Sequence, residues 1–107
     1  MINVKVKYWL ELSEYDLETA NAMLVSKRFL YVGFMCHQTI EKIIKAYFNS
    51  KYDEAAPYTH NLSYLARKAS LYDELTDEFK NTINLLEPLN IEARYPSYKA
   101  QLMSSLT

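Results

Sequence analysis

Four side chains able to hold a phosphate or move a proton recur along one stripe of a single apolar segment. In FLYVGFMCHQTIEKIIKAYF, from Phe29 to Phe48, the residues Gln38, Glu41, Lys42 and Lys45 fall within roughly one third of the circumference of a helix turning 100° per residue. Nearly everything else on that segment is apolar or small. Lys42 has the chemistry of a compact charge for phosphate, and Arg94, further along, offers a planar bidentate fork. Gln38 and Asp16 are suited to ordering those cations or reading a base, and Tyr95 and Tyr98 carry rings that can stack on a purine. His60 completes the candidate set Asp16, Gln38, Glu41, Lys42, Lys45, His60, Arg94 and Tyr95.

These groups act together only if the elements bearing them converge. The Phe29–Phe48 segment, continuing to about Ser50, has to be the central helix of a small bundle, because a helix apolar on most sides needs neighbours on most sides. Before it, Val6, Trp9, Leu10, Leu17, Ala20 and Leu24 recur at helical spacing from about Val4 to Ser26, and Asp16 projects at the edge of that stripe. Such an aspartate is either a satisfied rim residue or part of a site with the central helix. Lys27 and Arg28 leave room only for a short turn, so the first two helices form an antiparallel hairpin. Gly33 costs roughly 1 kcal/mol in a helix interior and points to another helix, of this chain or of a second subunit, approaching the backbone there. His37 borders the stripe and reads as a hydrogen-bonded core residue, with no second His or Cys at metal-ligand spacing.

KYDEAAPYTHN lacks helical pattern and forms a loop. Thr59 or Asn61 can then cap a third helix through Leu62, Leu65, Ala66 and Ala69, placing His60 at or just before a helix amino terminus. Its ring is expected either in water beside the cap or aimed at an anion. A fourth helix is expected from about Asp73 to Glu87 with Leu75, Phe79, Ile83 and Leu86 on one face, and Pro88 is tolerated there only by opening a new turn. Pro96 pushes Tyr95 out of the α region and holds Arg94 at a helix end, after which Ser97 can cap a short final helix bearing Tyr98, Leu102 and Leu106.

With 107 residues the chain reads as one domain, residues 1–107, large enough to hide roughly two thirds of its unfolded surface. Its net charge of −1, from 12 basic and 13 acidic residues, gives no overall field toward nucleic acid or anionic lipid. One glycine against ten tyrosines excludes the glycine-rich phosphate loops of mononucleotide- and dinucleotide-binding folds. Cys36, the single cysteine, allows no internal disulfide, and no run has the length of a signal peptide core or of the roughly 20 apolar residues of a membrane span. A cytoplasmic protein without metal or cofactor is expected.

Taken together, Trp9 with YDLETA (Tyr15 to Ala20), CHQTIEKIIKA (Cys36 to Ala46), THNLSYL (Thr59 to Leu65) and ARYPSY (Ala93 to Tyr98) resemble the HEPN family, the higher eukaryotes and prokaryotes nucleotide-binding domain. The resemblance covers nearly the whole chain. It implies an all-α up-and-down bundle of four to five helices, usually a homodimer, often encoded beside a minimal nucleotidyltransferase as a toxin–antitoxin pair. Many members are metal-independent RNases that use an Arg followed four to six residues later by His. This chain departs from that pattern: Arg28 precedes His37 by too many residues, and no His follows Arg67 or Arg94. RNase activity is therefore not carried over and no catalytic residue is assigned. Longer members continue past ARYP with a full final helix, so the last helix here is expected to be short, or its cover supplied by a partner.

Three functions stay open at this point. The candidate set could hold a nucleotide in an accessory, non-catalytic protein with a nucleotidyltransferase partner. It could be a purely structural network fixing helix register and the dimer. Or it could serve a nuclease of a different type, with His60 as acid or base and Lys42 or Arg94 stabilising the phosphorane.

Overall fold

A computed structural model describes residues 3–94, with side chains described through Asn90. The described residues are all-helical and form an up-and-down bundle. Helix α1 spans Val4–Val25, α2 Phe29–Lys51, α3 Leu62–Lys68 and α4 Asp77–Arg94, with a single 3-10 turn at Tyr72–Glu74. The expected final helix after Pro96 lies outside the described residues.

Each helix start has a local cause. Asn3 accepts from the backbone N–H groups of Lys5 and Val6 and so caps α1, while Asn61 accepts from Tyr64 N–H and caps α3. Thr76 accepts from Phe79 N–H at the head of α4. The ends of α1 and α3 close in the same way. Arg28 N–H reaches back to Met23 C=O and Lys27 N–H to Leu24 C=O; Leu71 N–H reaches Ala66 C=O and Ser70 N–H reaches Arg67 C=O. Both are Schellman closures, in which the residue after the cap adopts the left-handed region usually given to glycine. Here those residues are Lys27, with φ of 60°, and Ser70, with φ of 58°.

Helix α1 packs along α2 as the expected hairpin. On another side of α2, Ile44 and Phe48 join Leu62, Leu65, Ala66 and Ala69 of the α3 segment and Ile83 of α4 in the apolar core. Gly33 has the close neighbour its cost implied, and it lies within the chain: a Cβ built on Gly33 would stand 2.6 Å from Leu89 Cδ1 of α4.

Helix α4 corrects two expectations. It begins at Asp77 rather than near Asp73, and Phe79, placed on the buried face by spacing, sits in the first turn and is 60% exposed. It also runs straight through Pro88 instead of stopping before it. Proline lacks the N–H that would bond the carbonyl of Asn84 and crowds that carbonyl. Asn84 is exposed, so water can satisfy the carbonyl, and the next turn is held by Leu89 against Gly33 and by the buried Asn90.

Candidate functional site

The stripe on α2 lies between α1 on one side and the α3–α4 pair on the other, and two connected arms leave it. In the first, Lys42 Nζ donates to Asp16 Oδ2 of α1 at 2.6 Å and to Gln38 Oε1 at 3.1 Å, and Gln38 Nε2 donates to Asn90 Oδ1 of α4 at 3.0 Å. One chain of polar contacts therefore ties α1 to α2 to α4. The Lys42 and Asp16 side chains are only 16% and 12% exposed, so the pair is weakly screened by solvent.

The second arm centres on Glu41, whose side chain is 3% exposed. Its Oε2 accepts from Lys45 Nζ at 3.1 Å, and its Oε1 lies 2.8 Å from His60 Nδ1. His37, fully buried, stands between two acids: Nδ1 is 3.9 Å from Glu41 Oε1, and Nε2 is 3.9 Å from Glu87 Oε2 of α4. Glu87 uses its other oxygen to accept from Ser63 N–H in the first turn of α3. This carboxylate thus also meets the partial positive charge of a helix amino terminus. At its far end Lys45 lies over the Trp9 ring, 5.1 Å from the centroid, and Trp9 Nε1 donates to Asn49 Oδ1 at 3.0 Å.

Of the residues singled out by sequence, Asp16, Gln38, Glu41, Lys42, Lys45 and His60 are brought into this seam. His60 lies between its two expected places, its ring turned to a carboxylate of the same chain. Its ring bonds Glu41 while staying partly open to solvent, with the side chain 42% exposed. Arg94 closes α4 four residues after Asn90, and its side chain lies outside the described residues, as does Tyr95.

Sequence reasoning missed Glu87, Asn90 and Asn49, and it gave His37 no acid partners. Asn49 extends the stripe at i+4 from Lys45 and i+7 from Lys42, so the spacing that found the others reaches it. Glu87 and Asn90 follow Ile83 at i+4 and i+7, but Asn90 lies beyond Pro88, which reads locally as the end of the helix.

The arrangement is a charge-compensated polar layer. Carboxylates of Asp16 and Glu41 lie against the two lysines, and the imidazoles of His37 and His60 sit against Glu41 and Glu87. Burial acts differently on Cys36, one residue from His37, where desolvation pushes the thiol above its ordinary range. Among the described residues no helix is long and apolar enough to cross a membrane.

The family model described as the HEPN domain matches residues 6–105. No curated protein and no solved structure matches the chain.

Proposed function

The chain belongs to the HEPN domain family, and from that premise we propose that it is a non-catalytic accessory protein whose polar seam holds the bundle together. On this reading it works as a homodimer beside a minimal nucleotidyltransferase in a toxin–antitoxin-like pair. The observation that carries the role of the seam is that both of its lysines already face a carboxylate of the same chain, Lys42 on Asp16 at 2.6 Å and Lys45 on Glu41 at 3.1 Å. A phosphate entering there would have to displace an anion already in place and desolvated. The missing Arg-to-His spacing supports the non-catalytic role. The partner and the pairing rest on the family resemblance, and a cytoplasmic setting fits the single cysteine.

A second reading keeps the same seam as a nucleotide site and is favoured by His60. That ring is fixed on Glu41 but 42% exposed, so one edge is presented at the margin of the seam. A nucleotide phosphate there would draw on His60, Lys42 and Arg94.

Calorimetric titration with ATP and a cleavage assay on short RNA, using the full chain and Lys42→Ala, separate the readings. The accessory reading expects no ATP heat at millimolar ligand, no cleavage, and a lowered melting temperature in Lys42→Ala. Saturable ATP binding lost in Lys42→Ala would replace it with the nucleotide reading, and cleavage lost in His60→Ala would replace both. Co-expression with a minimal nucleotidyltransferase, if one is encoded beside this chain, followed by size-exclusion chromatography, tests the partner; sedimentation of the purified chain tests the homodimer.

A further inference from the structure

The side of α2 turned away from the seam carries an uncharged stripe. Ile43 is two residues from both Glu41 and Lys45, which puts it about 200° round the helix from each. Cys36, Val32 and Phe29 run back from it along the same stripe at helical spacing. Phe29 and Ile43, at its ends, are 39% and 43% exposed, and Val32 and Cys36 between them are half-buried. The described helices leave this stripe partly open.

Helix α1 widens it into a face. Trp9, Asp16 and Met23 recur every seven residues along the edge turned to α2, so the residues beside them lie on the two flanks: Tyr8 and Tyr15 on one, Leu10, Leu17 and Leu24 on the other. The tyrosine flank is on the seam side, because Val4 and Tyr8 line a depression with Trp9, Asn49, Ala55 and Ala56. The leucine flank therefore lies beside the Ile43 stripe, and its three leucines are 43%, 49% and 52% exposed. At the other edge Leu89 of α4 meets Phe29, Val32 and Gly33 round an apolar hollow of about 270 Å³, and Leu85, one turn before Leu89, is 74% exposed.

We infer that this face of α1, α2 and the end of α4 is the surface through which two copies of the chain pair about a two-fold axis, each covering the other's leucine flank and Ile43 stripe. The inference rests on the homodimer reading above and gives that dimer its surface. Size selects the occupant. Stripes about 20 Å long on helices about 9 Å apart present roughly 500 Å² in projection, and a ridged surface exceeds its projection. That approaches the roughly 800 Å² per partner of a standard interface. Residues 95–107, even as one continuous helix of about 20 Å, would cover a single helix width of it. A second copy returns the same uncharged face and covers all of it. Glu14 and Glu18, exposed on either side of Leu17, make the α1 rim acidic, which suits a solvated interface edge and disfavours an anionic lipid surface.

Sedimentation equilibrium of the full chain from micromolar to sub-millimolar concentration, beside Ile43→Glu, Leu17→Glu and Tyr64→Glu, is the test. The parent is expected to be a dimer. Ile43→Glu and Leu17→Glu each bring two carboxylates per dimer into an apolar contact and should raise the dissociation constant at least about a hundredfold. Tyr64 of α3, 45% exposed, lies off this face, and Tyr64→Glu should leave the dimer intact. Circular dichroism confirms folding of each variant, and should Ile43→Glu fail to fold, Leu17→Glu decides. Cys36 reports the interface from within: its alkylation should speed up when the dimer is dissociated by dilution or by Leu17→Glu, and no acceleration would place the interface off α2. A dimer that persists in both Ile43→Glu and Leu17→Glu would overturn this face and leave the homodimer reading standing. A parent that is monomeric at every concentration would overturn both; Cys36 alkylation made faster by Leu17→Glu in that monomer would give the face to residues 95–107 instead.

Discussion

The Trp9 indole N–H donates to Asn49 Oδ1 at 3.0 Å, and the same asparagine donates through Nδ2 to the carbonyls of Tyr52 and Glu54 at 3.2 and 2.7 Å. One side chain, 2% exposed, therefore joins the start of α1 to the end of α2 and the loop that follows. Asn3 adds to the same junction by donating to the Asn49 carbonyl at 2.9 Å.

Asn49→Asp separates these roles. A carboxylate still accepts from Trp9 but donates to neither carbonyl, and it brings a buried charge beside them. The substitution is expected to destabilise the protein by about 3 kcal/mol, the order of cost for a buried polar group left without its partners. Urea unfolding followed by far-ultraviolet circular dichroism measures it, and Trp9 fluorescence reports the junction directly.

Gly33 and Leu89 make a graded prediction. Alanine at position 33 gains about 1 kcal/mol of helix propensity, but its Cβ would meet Leu89 Cδ1 at 2.6 Å, so that side chain must turn aside. Because the obstructing atom is the tip of a flexible side chain, Gly33→Ala is expected to stay within about 1 kcal/mol of the parent. Gly33→Val carries further atoms toward Leu89 and should cost about 2 kcal/mol. Melting temperatures of the two variants, ranked against the parent, check the order.

Lys27 occupies a left-handed position, with φ of 60°, that costs a residue with a side chain about 1 kcal/mol relative to glycine. Lys27→Gly should therefore stabilise the hairpin by about that amount. The same denaturant titration is the check, and a destabilised variant would show that the lysine side chain contributes a contact beyond the turn.

Cys36 should be slow to alkylate. Desolvation raises its thiol above the ordinary cysteine range, so less thiolate is present at pH 8 than in a free cysteine. Its reaction with a chromogenic disulfide reagent is expected to be markedly slower in the folded protein than in urea.

Much of this architecture is legible in the chain itself. Trp9, Leu17 and Ala20 mark α1, the segment from Phe29 marks α2, and of the two cap candidates Thr59 and Asn61 it is Asn61 that caps α3. Periodicity finds such elements because burial repeats with the helix. It fails at α4, where Pro88 reads locally as a stop and only tertiary contacts, Leu89 on Gly33 and Asn90 on Gln38, carry the helix through. The site follows the same division. Gln38, Glu41, Lys42 and Lys45 share a local register and are visible together, whereas their partners Asp16, His60 and Asn90 are set by how helices pack. Which lysine meets which carboxylate has no local signature.

The central claim is that the carboxylates of the seam are committed to cations of the same chain, and a double-mutant cycle on Asp16 and Lys42 tests it most directly. Urea unfolding of the parent, Asp16→Asn, Lys42→Met and the double variant gives the coupling. The 2.6 Å contact predicts a coupling of about 1–3 kcal/mol, with the double variant more stable than the sum of its single losses. Single losses that add to within a few tenths of a kcal/mol would contradict it, leaving Lys42 free to serve a ligand instead.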